Sequence, residues 1–249
     1  MSSSAIKRLR IFAGPNGSGK TSVYDDLRQK GSPRFGVYVN ADDIERTIRD
    51  KGIVSFGDYG IKISEDALKE HFLAFKDVQP SAVSVDQFYV EDDFLVVPEK
   101  VVVDSYFAAF LAGQIRNEML VSGIETITIE TVMSHPSKLE LMMRAKALDY
   151  RVYLYFITTS DPKINVERVL ARTQKGGHDV PPEKVRSRYF RSLDNLYGAV
   201  LLSDRAFLID NSERNYKLIG EYDGSVNVFH LKTGLYPEWV QKYFMEKNK

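Results

Sequence analysis

The sequence predicts an α/β fold: a three-layer sandwich around a mostly parallel five-stranded sheet. Two observations carry this expectation. Short apolar runs at 9–13 (LRIFA), 36–40 (GVYVN), 125–130 (ETITIE), 151–157 (RVYLYFI) and 206–210 (AFLID) read as strands, and helical patterns at 42–50, 136–148 and 162–173 fall between them. The runs also end in polar residues: Asn40 and Asp42-Asp43, Glu130, Thr158-Thr159-Ser160, and Asn211-Ser212. An open α/β sheet binds its ligands at that edge.

The remaining elements follow from local chemistry. The helix from about 42 has Asp42 or Asp43 as N-cap candidates. Residues 51–103 break the alternation and read as an insertion. It holds a helix at 64–76 and the acidic, β-branched stretch DQFYVEDDFLVVPEKVVVD, a hairpin or an irregular wrap. In the helix at 104–122, Phe107, Leu111, Ile115 and Met119 form one i+4 ridge suited to a core. KLIGEYDGSVNVFH, within 216–231, reads as a C-terminal hairpin turning near Asp223-Gly224. The expected organisation is one domain over 1–249 carrying the insertion and the hairpin.

Composition narrows the function classes. Lys plus Arg and Asp plus Glu each total 34, so the net charge is zero and a polyanion binder held by bulk charge is disfavoured, nucleic acid included. The chain has no cysteine, which removes thiolate nucleophiles and Cys-based metal sites. No apolar run approaches the ~18 residues of a membrane span, and the start lacks a signal-like apolar stretch. The expected location is cytoplasmic.

The densest chemistry lies in Gly14-Pro15-Asn16-Gly17-Ser18-Gly19-Lys20-Thr21, which fits G-x-x-x-x-G-K-[ST] between a predicted strand and a predicted helix. Glycines let successive N–H groups face one phosphate, and the helix amino end adds partial positive charge. Lys20 is placed to reach the β and γ phosphates, the Thr21 hydroxyl to ligate Mg²⁺, and Ser22 extends the loop into the helix. ATP or GTP binding is the strongest reading. The ABC signature LSGGQ and a guanine-reading N-K-x-D are absent, which leaves a small-molecule kinase in front.

Phosphoryl transfer is mostly positioning and electrostatics, so it needs a group on the acceptor hydroxyl and cations around the phosphoryl group. Asp42, in VNADDI, is the candidate base if its strand neighbours the first. The alternative is that it only caps the helix, and Asp43 competes for either job. Glu130 is a candidate for holding substrate hydroxyls, or Mg²⁺ through water. Arg168 and Arg172, spaced i,i+4 opposite Val166 and Leu170, can reach one ligand. Beyond GGHDVPP, the next helix has Val185, Tyr189, Leu193, Leu196 and Val200 on its apolar side. Arg188 and Arg191 lie off that side, and Arg186 falls within the apolar arc, so it either snorkels to water or points inward at a ligand. Two arginine-bearing helices around a Gly- and Pro-rich loop read as a lid over ATP, with His178 as a loop residue at its tip.

Taken together, FAGPNGSGKTS, VNADDI, IETVMS, GGHDVP with RYFRSL, and LSDRAFLIDNS resemble the zeta-toxin family of P-loop kinases, in the branch often labelled predicted ABC-type ATPases. The resemblance covers about 9–50 and 104–220. It implies an ATP- and Mg²⁺-dependent kinase acting on a hydroxyl of a small metabolite, such as the sugar of UDP-N-acetylglucosamine, with an antitoxin protein as partner. It assigns phosphate binding to Gly19 and Lys20, Mg²⁺ to Thr21, base duty to Asp42, substrate contact to Glu130, and lid cations to Arg172 and Arg188. After the acidic strand end the family pattern is E-G-T-x-R, whereas this chain reads Glu130-Thr131-Val132-Met133-Ser134. The competing expectation is an ATP-dependent switch whose insertion recognises a protein partner.

Overall fold

A computed structural model of the chain describes residues 5–31, 33–174 and 180–248. In chain order its elements are β1 (Arg8–Ala13), α1 (Lys20–Gln29), β2 (Val37–Val39), α2 (Ala41–Lys51), β3 (Ile53–Ser55), α3 (Glu65–Lys76), β4 (Tyr89–Glu91), β5 (Phe94–Val96), α4 (Ser105–Val121), β6 (Thr126–Thr131), α5 (Ser137–Ala147), β7 (Arg151–Thr158), α6 (Pro162–Thr173), α7 (Pro182–Asp194), α8 (Leu196–Leu201), β8 (Arg205–Asp210), β9 (Lys217–Asp223) and β10 (Val228–Leu231). They form two compact units, one of Met1–Gly36 with Thr128–Lys249 and the other of Val37–Ile127. Among the described residues no helix is long and apolar enough to cross a membrane.

In the first unit the strand order is β10-β9-β8-β7-β1-β6. β1 runs parallel to β7 in the register Arg8↔Arg151 to Ala13↔Phe156, and β7 runs parallel to β8. Apolar residues fill both faces of these inner strands, as a sheet covered on both sides requires. Leu9, Ile11, Phe12, Val152, Leu154, Phe156 and Leu208 are all buried. On one face Phe12 stacks on Tyr155 at 4.6 Å, with Tyr24, Phe35 and Phe207 around them. The C-terminal hairpin forms, and it joins the same sheet: β9 lies antiparallel on β8, and β10 on β9. It covers the edge β8 would otherwise expose.

One expectation in this unit is corrected. The helix expected to carry both Val185 and Val200 is two helices, α7 and α8, that meet at Asn195. All five predicted apolar residues are nonetheless buried. Of the two outcomes open to Arg186, the first holds: it is exposed, its long stem letting the guanidinium reach water. The lid tip at 175–179, with His178, lies outside the described residues.

The second unit contains a small antiparallel sheet ordered β3-β5-β4. The acidic stretch forms the β4–β5 hairpin, turning through Asp92 and Asp93 at φ 46° and 65°. Two consecutive left-handed residues match the twist of the strands, and aspartate tolerates that region better than most. Phe72 of α3 packs edge-on against Phe88 and Phe107, with Phe110 alongside. The α4 ridge of Phe107, Leu111, Ile115 and Met119 is fully buried.

Capping in this unit overturns one expectation. Asn40, rather than Asp42 or Asp43, is the N-cap of α2: its Oδ1 accepts the Asp42 backbone N–H at 3.1 Å. Asn40 has extended backbone angles, as an N-cap must, whereas both aspartates already lie in the first helical turn, where carboxylates favour the helix dipole. Asp104 caps α4 through Phe107 N at 2.8 Å, and the same carboxylate accepts Ser81 Oγ and Ala82 N.

Phe72→Ala removes the ring shared by Phe88, Phe107 and Phe110, and is expected to cost about 3–5 kcal/mol. Urea denaturation followed by circular dichroism measures this; a loss below about 1 kcal/mol contradicts the packing described.

Candidate active site

The loop from Gly14 to Gly19 leaves β1 and closes on the amino end of α1. Gly14 has φ 141°, and a Cβ there would strike the Ile157 carbonyl of β7. Gly17 has φ 73°, and a Cβ there would strike the Asn165 backbone of α6. Glycine is therefore required twice over, by conformation and by space. Gly19 is the left-handed N-cap of α1 and provides no side-chain cap, so the first N–H groups of that helix are left for a ligand. Lys20 is only 7 % exposed, and its Nζ donates to Pro15 O across the loop at 3.0 Å. The ammonium thus sits within the curl, where the motif requires it. Ser18 is completely buried and its Oγ has no partner among the described residues.

Glu130 meets this loop from the end of β6. Its Oε2 accepts the Thr21 hydroxyl at 3.0 Å, and its Oε1 lies 3.9 Å from Lys20 Nζ. At that separation two charges attract by about 4 kcal/mol at an effective dielectric of 20. Removing both from water costs several kcal/mol per ion. Summed over two ions the desolvation cost is at least as large as the attraction, so this pair is not a source of stability. A strand in a sheet has only two neighbours, and those of β1 are β7 and β6. The acid on the strand adjoining the loop is therefore Glu130, which corrects the expectation that the Asp42-bearing strand neighbours the first.

The segment after Glu130 is pinned. Gly14 N donates to Thr131 O at 3.2 Å, Ser192 Oγ to Val132 O at 2.6 Å, and Asn195 Nδ2 to Met133 O at 2.9 Å. Met133 is fully buried with φ 57°, a conformation costing about 1–3 kcal/mol that persists only where surroundings over-determine it.

Residues for which the sequence predicted no such role hold the loop from the other side. Asn165 of α6 is fully buried; its Nδ2 donates to Asn16 O at 2.7 Å, and its Oδ1 accepts the Thr159 hydroxyl. Tyr189 of α7 donates to Thr159 O at 2.7 Å, and burial raises its pKa, keeping the hydroxyl a donor. Asn211, just after β8, donates to Ser18 O at 2.8 Å. The sequence signal for Asn165 was its position three residues before Arg168 on one helix face; for Asn211 it was its place at a strand end.

The predicted arginines divide. Arg168 NH1 donates to Asn211 O at 2.8 Å, so it supports the loop through Asn211. Arg188 NH1 donates to Asn16 Oδ1 at 3.3 Å and reaches the loop directly. Arg172 lies exposed in the last turn of α6, and Ser22 is exposed in the first turn of α1. Asp42 and Asp43 belong to the second unit, in the first turn of α2; Asp42 is exposed, and Asp43 is paired with Arg46. Among the described residues no group of three or more metal-ligating side chains occurs. Thr21 and Glu130 nevertheless form a pair of hard oxygen donors, the type Mg²⁺ prefers alongside nucleotide phosphates.

No protein-family model matches the chain, and no curated protein matches its sequence. Solved structures do match. A chain of AvrRxo1-ORF1:AvrRxo1-ORF2 with sulphate ions has a TM-score of 0.59 at 16 % identity, covering 97 % of this chain and 65 % of that one. The same pair with ATP gives 0.57 at 14 %, covering 93 % and 62 %. A structure from the PezAT chromosomal toxin–antitoxin system of Streptococcus pneumoniae gives 0.51 at 16 %, covering 100 % and 88 %. This chain therefore spans less than two thirds of the AvrRxo1 chains. The likeness establishes the fold: an α/β P-loop NTPase fold with a mostly parallel sheet, in agreement with the zeta-toxin-like resemblance read from the motifs.

Gly17→Ala forces a methyl group into the α6 backbone, and Asn165→Ala strands Asn16 O and Thr159. Each is expected to lower stability by about 1–3 kcal/mol. Thermal denaturation measures this; unchanged stability in either variant contradicts the bracing role.

Proposed function

We propose that this chain is an ATP- and Mg²⁺-dependent phosphotransferase that moves the γ-phosphoryl group of ATP to a hydroxyl of a small metabolite, such as a nucleotide sugar of the UDP-N-acetylglucosamine type. The observation that carries the reading is the braced Gly14–Thr21 loop with Lys20 inside it and Glu130 on Thr21. The fold shared with AvrRxo1-ORF1:-ORF2, which is described with ATP, supports it.

In this reading the loop N–H groups and Lys20 hold the phosphates. Thr21 and Glu130 hold Mg²⁺, which when bound neutralises charge on the phosphate oxygens; Glu130 also contacts the substrate. Arg188 and Arg172 supply lid cations that stabilise charge on the transferring group, and Arg168 keeps the loop in register through Asn211. Asp42 accepts the proton of the acceptor hydroxyl. Asn40 rather than Asp42 caps α2, and Asp43 pairs with Arg46. The whole described chain acts as one P-loop kinase-like domain, with 51–103 as its insertion. The complexes and the toxin–antitoxin system among its structural likenesses support a protein partner of the antitoxin kind.

Incubation with γ-labelled ATP and a panel of nucleotides and nucleotide sugars is expected to place label on an acceptor. Slow release of inorganic phosphate alone would favour a nucleotide-driven switch instead. Lys20→Met is expected to abolish transfer. Asp42→Asn is expected to leave ATP affinity within about twofold and to lower kcat by about 10²–10⁴; unchanged kcat removes Asp42 from the mechanism.

A further inference from the structure

Helix α4 is apolar over most of its length, yet it carries Arg116 among its buried residues. Only 8 % of this residue is exposed. Its Nε is fully buried without a partner, and among the described residues no hydrogen bond or ion pair engages the guanidinium. Burial lowers its pKa to about 10, which still leaves it charged at neutral pH. A buried cation is normally paired, because an uncompensated charge in a protein interior is among the costliest arrangements a fold can hold.

The residues beneath it are small. Side chains on a helix lean toward its amino end, so a residue covers the turn before its own. The turn before Arg116 contains Ala112 and Gly113, with Ala108 and Ala109 before them. Arg116 NH2 lies over Gly113, 3.7 Å from where a Cβ would stand. A planar fork of donors is thus laid across small residues that offer no acceptor side chain. Such a fork matches the oxygens of a phosphoryl or carboxylate group two at a time.

We propose that Arg116, lying over Gly113 on α4, is an anion-binding site of the second unit that takes the oxyanion group, phosphoryl or carboxylate, of a small ligand. This site is separate from the Gly14–Thr21 loop and does not rest on the phosphotransferase reading.

Equilibrium dialysis of the full chain against labelled inorganic phosphate tests it. The wild type is expected to bind two phosphates, Lys20→Met to keep one, and Lys20→Met with Arg116→Met to keep none. Competition with acetate separates the two chemistries: displacement at millimolar acetate assigns the site to carboxylates as well, and resistance assigns it to phosphoryl groups. In Lys20→Met, saturating phosphate is also expected to raise Tm by roughly 5 °C. Gly113→Leu, which keeps the charge but fills the space over the helix, is expected to lose the site as Arg116→Met does. Should Arg116→Met fail to fold, this variant and the direct titration of Lys20→Met still decide the matter. No saturable phosphate binding in Lys20→Met, or undiminished binding after Gly113→Leu or Arg116→Met, overturns the proposal. Failure of the Gly14 loop to bind phosphate would appear separately, as a wild type no different from Lys20→Met.

Discussion

The site depends on a loop backbone held curved from outside. Peptide groups left to themselves pair with one another, and a loop of several glycines has much entropy to lose on being fixed. Here the fixing comes from two side-chain amides. Asn165 grips Asn16 O and Asn211 grips Ser18 O, so the loop carbonyls are satisfied from outside. Lys20, tied to Pro15 O, completes the curl from within. Each contact alone contributes about 1 kcal/mol; together they set the shape in advance of any ligand, which is how binding energy is kept from being spent on ordering.

The electrostatics follow from that shape. A cationic curl draws an acid to its rim, and Glu130 supplies it from the strand next to β1, with Thr21 between carboxylate and helix. The chain then stiffens this acid by an unusual route. Thr131, Val132 and Met133 are each held, by Gly14, Ser192 and Asn195 respectively, and Met133 accepts a left-handed conformation that few apolar residues adopt. Strain placed immediately beside Glu130 limits how far its carboxylate can drift.

What the sequence disclosed and what it concealed divide along sequence separation. The Gly14–Thr21 loop was legible because eight adjacent residues encode it, and Glu130 because a strand end is a local signal. The five strands, the α4 ridge and the C-terminal hairpin turning near Asp223-Gly224 came from local periodicity and turn chemistry in the same way, whereas the acidic stretch left a hairpin and an irregular wrap open until the turn at Asp92-Asp93 was seen. Asn165 and Asn211 were hidden because their partners are 149 and 193 residues away, and polar residues in a helix or after a strand look alike until the sheet is assembled. The cap of α2 was misjudged for a different reason. Asn40, Asp42 and Asp43 are all good caps, and only backbone angles separate them. Strand neighbours were misassigned because periodicity gives the strands and not their order. Arg116 was visible as a lone charge in AAFLAGQIR, but the apolar ridge beside it dominated the reading.

The Asn165 contact has a mechanical corollary. Because α6 is bolted to the loop at Asn16 while its next turn, at Arg168, is bolted to Asn211, the base of this helix behaves as a fixed abutment rather than as a lever. Swinging α6 as a rigid rod would tear open the Gly14–Thr21 loop. Bending that preserves the loop is therefore restricted to the chain beyond Arg168, so the reach of Arg172 can vary while the curl of the loop does not.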